Sequence, residues 1–229
     1  MTSDRALLVV AKQPIPGQTK TRLCPPLTHV QAADLYDCFL RDTLDTIRKV
    51  MKVKRIIAYL PENAQDYFLQ LAPDMGLIGQ QGKSLGERLD NLLKATLSDS
   101  FCQAVIMDSD SPTLPPDYVI QAFEQLEEAD VVLGPTRDGG YYLIGAKQPQ
   151  PQLVRQVKMS TSHVLSDTLK LAKTLGVTVS LLPVWYDVDN ISDLYHLNRE
   201  ISHQVSKETA LATRHWLENT DWHDHRDEK

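Results

Sequence analysis

Three stretches of the chain concentrate side chains able to handle a polyphosphate. Lys12, Lys20 and Arg22 fall in one run, Lys12-Gln13-Pro14-Ile15-Pro16-Gly17-Gln18-Thr19-Lys20-Thr21-Arg22-Leu23, where two prolines and Gly17 fix the backbone. Converging cations hold a di- or triphosphate, arginine as a planar fork and lysine as a point charge. By composition alone, the same run is equally a solvated basic loop. Asp108-Ser109-Asp110 and Asp187-Val188-Asp189 each present two carboxylates. Mg²⁺ takes one or two carboxylates and completes its shell with water and substrate phosphates, so such a pair suits it. Turn and cap chemistry also selects these residues: Asp110-Ser111-Pro112 reads as a turn, and Asn190 with Asp193 as a helix start. Asp138-Gly139-Gly140 joins a carboxylate to two residues lacking a Cβ, where a ligand can approach the backbone; a plain glycine turn has the same composition.

Short β-branched runs alternate with segments of helical period, the pattern of βαβ units and a largely parallel sheet. Ala6 to Ala11 and Ala104 to Met107 are unbroken apolar runs, which predicts strands covered on both faces. Further strands are expected at Val53 to Leu60, Leu77 to Gly79, Val131 to Leu133, Tyr141 to Ala146 and Val177 to Leu182. Thr28 with Gln31 makes a capping box for a helix to about Lys49, and Ser84 with Glu87 another for a helix whose apolar face is Leu85, Leu89, Leu92 and Leu93. Other helices are predicted after Pro61, from Pro116 to about Glu128, from a Ser160 or Thr161 cap to Leu175 with Gly176 as its stop, and from about Ile191. The residues between the Val131 and Tyr141 strands allow a hairpin or a crossover. In a doubly wound sheet ligands sit outside the carboxyl ends of the strands, so the loops after Ala11 and Met107 are the first places for chemistry.

The 229 residues suffice for one large core, and 24 Lys and Arg against 30 Asp and Glu give a net charge of -6. That balance argues against a surface built to neutralise nucleic acid and leaves room for a local basic pocket. No apolar run is long enough to span a bilayer, and the N-terminal one is too short for a signal-peptide core. Three cysteines at unrelated spacings fit neither a disulfide framework nor a zinc site, which points to a reducing, cytoplasmic compartment. Lys20-Thr21 echoes the end of a Walker motif, but Thr19 precedes the lysine, Pro14 stands at the first glycine position, and Pro25-Pro26 breaks the helix such a loop needs. His163 reads as a cap-region residue, His223 and His225 as part of a tail, and Trp216 and Trp222 as cover for a core edge or subunit contact. Cys24, beside Arg22, is placed for a lowered pKa but has no base to pair with.

In this order, Ile15-Pro16-Gly17-x-x-Lys20-Thr21-Arg22-Leu23, Gly82-x-x-Leu85-Gly86-Glu87-Arg88, Asp108-x-Asp110-x-Pro112, Gly134-Pro135-x-x-Asp138-Gly139-Gly140-Tyr141-Tyr142-Leu143-Ile144-Gly145 and Asp187-Val188-Asp189 resemble the DUF2064 family. This is a group of GT-A-type transferases also known as arsenosugar-biosynthesis or radical-SAM/selenodomain-associated glycosyltransferases. The resemblance covers about residues 5 to 200, and its glycine-tyrosine run is its most specific part. More distantly the chain is similar to molybdenum-cofactor and phospholactate guanylyltransferases. The resemblance implies a nucleotide-diphospho-sugar transferase (GT-A, Rossmann-like) α/β fold, a mixed, mostly parallel sheet of about seven strands flanked by helices. On it, residues 1–202 would form the transferase domain and 203–229 a C-terminal helix and tail. Lys12, Gly17, Lys20 and Arg22 would meet the nucleotide phosphates, and Gly82, Ser84 and Gly86 would lie near base or ribose. Asp110 and Asp189, with Asp108 as an addition at the family's usual glycine position, would hold Mg²⁺ or Mn²⁺.

Two reactions share those needs. In glycosyl transfer an acceptor hydroxyl attacks the anomeric carbon of a nucleotide sugar, with Asp138 the candidate base above a Gly139-Gly140 floor for the sugar. In nucleotidyl transfer a phosphorylated acceptor attacks the α-phosphorus of a nucleoside triphosphate and releases pyrophosphate, which needs no protein base. The resemblance favours the first. The expected partners are therefore a nucleotide sugar or triphosphate and a small acceptor, with no nucleic acid and no membrane span. A regulatory protein that binds nucleotide or sugar without turnover would be expected to have lost Lys20 or Asp110, and both are present.

Overall fold

The computed structural model describes residues 4–98, 101–203 and 208–222. Its strands are β1 (Arg5–Lys12), β2 (Lys54–Leu60), β3 (Gly76–Gly79), β4 (Gln103–Met107), β5 (Val131–Pro135), β6 (Tyr141–Ala146) and β7 (Val179–Leu181). They form one sheet in the order β3-β2-β1-β4-β6-β5-β7. Only β6 runs against its neighbours β4 and β5; the other pairings are parallel. This is the mixed, mostly parallel sheet the sequence predicts. The open choice between hairpin and crossover falls to a β5–β6 hairpin, so the Thr136–Gly140 loop is its turn.

Alternation along each strand feeds two cores, one on each face. Leu7, Val9, Val105 and Met107 pack under α1 (His29–Arg48), α4 (Pro116–Gln125), α7 (Ile191–His203) and α8 (Leu211–Asn219), with Phe68 of the short α2 (Gln65–Leu71) at the edge. Ala6, Leu8, Ala104 and Ile106 pack under α3 (Leu85–Ser98), α5 (Pro151–Arg155) and α6 (Val164–Leu175). Each large side chain fully buried this way contributes about 1.5–3 kcal/mol, which is why the strands read as unbroken apolar runs.

The Thr28–Gln31 capping box is present with both hydrogen bonds, and Gly176 ends α6 at φ 71°. The start of α6 differs from expectation: Ser160 has φ 62°, Thr161 Oγ1 donates to Lys158 O, and His163 takes the N-cap place without a side-chain bond. Neither Ser160 nor Thr161 is therefore the cap of α6. The C-terminal α8 is tied into the first core. Asp42 of α1 accepts from the backbone N–H groups of Ala212 and Thr213 at 2.9 and 2.8 Å, and Trp216, Leu217 and Trp222 join the cluster that covers β1. Both tryptophans therefore serve that core. His223 and His225 lie outside the described residues.

From β1 the chain moves outward to β2 and β3, then returns to the other side of β1 as β4. That reversal leaves a crevice at the carboxyl ends of β1 and β4.

Candidate functional site

The two strand ends at the crevice are tied by a buried phenol. Tyr36 of α1 accepts from the Lys12 backbone N–H at 3.1 Å and lies 2.8 Å from Ser109 Oγ. Ser109 in turn donates to Val10 O at 3.0 Å. Beyond Lys12 the loop folds on itself: Ile15 O accepts from the N–H groups of Gln18 and Thr19, and Thr19 Oγ1 accepts from Ile15 N. Lys20 then adopts φ 49° before a single 3₁₀ turn, Thr21–Leu23, anchored by buried Leu23. A non-glycine residue in that left-handed region costs about 1–2 kcal/mol, and here it turns the lysine inward.

The turned ammonium meets both acidic segments. Lys20 Nζ lies 3.0 Å from Asp110 Oδ2 and 2.9 Å from Asp189 Oδ1, with its side chain only 6% exposed. Arg22 Nη1 is 3.5 Å from Asp189 Oδ2 and is otherwise open to solvent. The acidic segments are also joined by backbone: Val188 N–H donates to Asp110 O at 3.0 Å, and Ser111 Oγ donates to Tyr186 O at 3.0 Å. Asp189 is fixed further by α7, where Asp193 accepts from the N–H groups of Asp189 and Asn190 and Asn190 Oδ1 accepts from those of Ser192 and Asp193. Three loops remote in sequence thus meet around one ammonium.

Charge is unevenly balanced there. Burial would lower the Lys20 pKa, but Asp110 and Asp189 outweigh it and hold the ammonium charged. Burial would raise the Asp189 carboxyl, but Lys20, Arg22 and Lys12 bring it below its ordinary value. For Asp108 the help from Lys20 is too small to offset burial and its acidic neighbours, and Asp187 has no cation to offset them. Burial, then Asp110 and Asp187, push Asp108 well up; burial, then Asp189 and Asp138, push Asp187 to about 6.

The predicted residues divide accordingly. Lys12, Lys20, Arg22, Asp110 and Asp189 share this rim, with Gly17 at φ 78° on the exposed tip of the same loop. Asp108 does not join the Asp110–Asp189 pair: its Oδ1 accepts from the Asp110 N–H at 3.3 Å, the turn-capping alternative. Among the described residues no three Asp, Glu, His or Cys side chains converge to cage a metal. Asp138 borders Asp187, but its Oδ1 already accepts from Thr136 Oγ1 at 2.5 Å and Gly140 N at 3.0 Å. A Cβ on Gly139, at φ 92°, would lie 2.0 Å from Ser162 O, and one on Gly140 3.0 Å from Thr136 Oγ1. The missing Cβ of Gly139 thus makes room for the Ser162 carbonyl, and that of Gly140 eases the contact with Thr136.

At Gly86 a Cβ would stand 2.1 Å from Val154 O, so the glycine lets α3 seat on α5. Gly82, at φ 133°, shapes the exposed entry to α3. Ser84 Oγ accepts from Glu87 N, and Glu87 reaches back to the Lys83 N–H instead of that of Ser84. Gln80, just before, donates to Ala58 O at 2.7 Å, which places this loop beside the end of β2. Cys24 runs opposite to expectation, its pKa raised by burial. The sequence carries no local sign of Tyr36, whose partner Ser109 is remote in the chain; Asp187, expected as half of an acidic pair with Asp189, stands beside Asp189 and adds charge to the rim.

The fold has counterparts among known proteins. Residues 43–161 match the family model described as "Uncharacterized protein conserved in bacteria (DUF2064)". A protein from Desulfovibrio desulfuricans G20, provisionally described as a nucleotide-diphospho-sugar transferase, is 30% identical and superposes with a TM-score of 0.88 over 94% of each chain. The 4-diphosphocytidyl-2C-methyl-D-erythritol synthase of Anaerococcus prevotii DSM 20548 matches at 12% identity and TM-score 0.58, over 87% of this chain and 97% of its own. A CMP:2-keto-3-deoxy-manno-octonic acid synthetase complexed with CTP matches at 12% identity and TM-score 0.56, over 86% of this chain and 98% of its own. The last two share the fold alone. No curated protein matches the chain.

Proposed function

Given that the chain belongs to the DUF2064 family, we propose that it is a transferase of nucleotide-activated substrates, moving a sugar from a nucleotide-diphospho-sugar to a small acceptor. The observation that carries this reading is the meeting of Lys20, Asp110 and Asp189 within 3.0 Å at the β1–β4 crevice. Its support from relatives is the nucleotide-diphospho-sugar transferase description of the D. desulfuricans protein.

Lys12 and Arg22, both exposed at the rim, receive the diphosphate, beside Lys20 on its two carboxylates. Asp110 and Asp189 suit a divalent ion because their oxygens converge on one cationic atom. Mg²⁺ or Mn²⁺ held there would stabilise the charge growing on the departing phosphate. The acceptor oxygen forms a bond to the anomeric carbon as that carbon's bond to the phosphate oxygen breaks; the electron pair leaves with the nucleoside diphosphate, and the hydroxyl proton passes to a carboxylate. Asp138 is the assigned base, and the Thr136 and Gly140 donors fix its orientation. Among the described residues no helix is long and apolar enough to cross a membrane, and Cys24, Cys38 and Cys102 are free thiols.

The same bonds to Asp138 favour a second reading, nucleotidyl transfer, because an attacking phosphate is already ionised and needs no base. A panel of UDP-, GDP-, ADP-, CDP- and dTDP-sugars and the matching triphosphates, each with and without Mg²⁺ or Mn²⁺, separates the two. Metal-dependent binding of a nucleotide sugar, with release of nucleoside diphosphate in the presence of acceptor, is the expected result. Preference for a triphosphate, with pyrophosphate release on adding a phosphorylated acceptor, would establish the second reading. Tight metal-independent binding unaffected by Asp110→Ala would remove the metal.

A further inference from the structure

Of the three cations at the rim, two face solvent and one does not. Lys12 is exposed and Arg22 has 77% of its side chain open, whereas Lys20 is almost enclosed and lies between Asp110 and Asp189 at hydrogen-bond distance from both. We infer that Lys20 is the resident counter-ion of the Asp110–Asp189 pair, occupying the interval a divalent ion would take, so that metal entry is coupled to polyphosphate binding. This inference rests on the metal part of the proposed function.

Electrostatics and backbone geometry support it. Two carboxylates brought together at one point require a cation, and a protein-borne ammonium supplies one. A divalent ion placed between the same oxygens would stand within a few ångström of that ammonium and be repelled, and the enclosure of the ammonium weakens solvent screening on its side. A bound polyphosphate reverses the balance by adding its own charge, giving Lys20 an alternative partner just as the pair is left to the metal. The residue is also poised for release. Its φ of 49° is held by the single turn after it and by Leu23, and strain of that kind persists only where the surroundings enforce it. The consequence is order: the free protein takes up a divalent ion weakly, and nucleotide and ion bind cooperatively, each raising the other's affinity by the same factor.

Mn²⁺ titration followed by electron paramagnetic resonance tests this without any turnover. The proteins are the full-length wild type, Lys20→Gly, Lys20→Asn and the double variant Lys20→Gly/Asp110→Asn. Glycine and asparagine both tolerate the left-handed backbone, so either variant keeps the loop if the other fails to fold, as thermal melting will show. Without nucleotide, the Lys20 variants are expected to bind one Mn²⁺ at least about tenfold more tightly than wild type, and the double variant to lose that gain. In the wild type, one of UDP, CDP, GDP, ADP or dTDP is expected to raise Mn²⁺ affinity at least about tenfold beyond its own chelation, with no such gain in Lys20→Gly. Wild type binding Mn²⁺ as tightly as the Lys20 variants overturns the coupling and leaves the metal assignment standing. If no protein binds Mn²⁺ with or without nucleotide, the metal assignment itself fails and takes the coupling with it.

Discussion

Asp187 and Asp108 are half-buried and stand beside other carboxylates, and their ionisation therefore works against the fold. For Asp187 the folded pKa of about 6 stands above the ordinary carboxylate value of 3.8. The native state then binds the proton more strongly, so the group lowers stability progressively as pH rises from about 4 to about 6, and the full penalty is present above that. Asp187→Asn in metal-free buffer should be more stable than wild type at pH 7.5 by about 1–2 kcal/mol, discounted for partial exposure, with the gap closing near pH 4. Urea melts at the two pH values check it; a gap that persists at pH 4 would show that charge is not the cause. At this scale the sequence was informative where residue type alone decides. Lysine and aspartate at strand ends predicted that remote side chains would gather at one rim, and Lys20, Asp110 and Asp189 do meet. It was silent on Tyr36 and Ser109, because a tyrosine in a helix carries no mark of a partner 73 residues away.

Glycine shows where single residues mislead and packed elements decide. The glycines of the Ser84 and Asp138 motifs invite a reading as close approaches for ligand, yet the missing Cβ of Gly86 makes way for Val154 O and that of Gly139 for Ser162 O. Gly86→Ala and Gly139→Ala should each cost about 2 kcal/mol or more, since a backbone oxygen cannot rotate aside. Gly17→Ala has open space around it and should cost only about 1 kcal/mol, from its positive φ alone. Denaturant midpoints rank the three, and nucleotide affinity of the folded Gly86→Ala protein should stay within about threefold of wild type. A Gly86→Ala protein of normal stability with lost affinity would return that glycine to the nucleotide. Helix starts were legible wherever a hydroxyl or amide and its partner lie three residues apart, as at Thr28, Ser84 and Asn190. The start of α6 was not, because its two hydroxyl residues sit in an irregular turn set by the chain packed on Gly139.

Across the whole molecule, the alternation of apolar runs and amphipathic helices was enough to foresee the sheet, and the β1–β4 reversal supplies the crevice. The hairpin of β5 and β6 could not be decided locally, since a five-residue connection with two glycines permits either course until the neighbouring strands claim their edges. The C-terminal helix unites with the rest through Asp42 and the tryptophans, which predicts one cooperative unfolding transition. Asp42→Ala should lower its midpoint, at a cost of about 1–2 kcal/mol, by uncapping α8; a separate early transition in the wild type would contradict this. The most direct test of the account as a whole is a crystal structure of the protein with Mn²⁺ and the nucleotide its binding panel selects, phased to show the manganese anomalous signal. The account predicts the signal between Asp110 and Asp189, the phosphates against Lys12, Lys20 and Arg22, and the Lys20 ammonium displaced from both carboxylates. Phosphates and metal bound away from the β1–β4 crevice, with Lys20 still between its two aspartates, would contradict it.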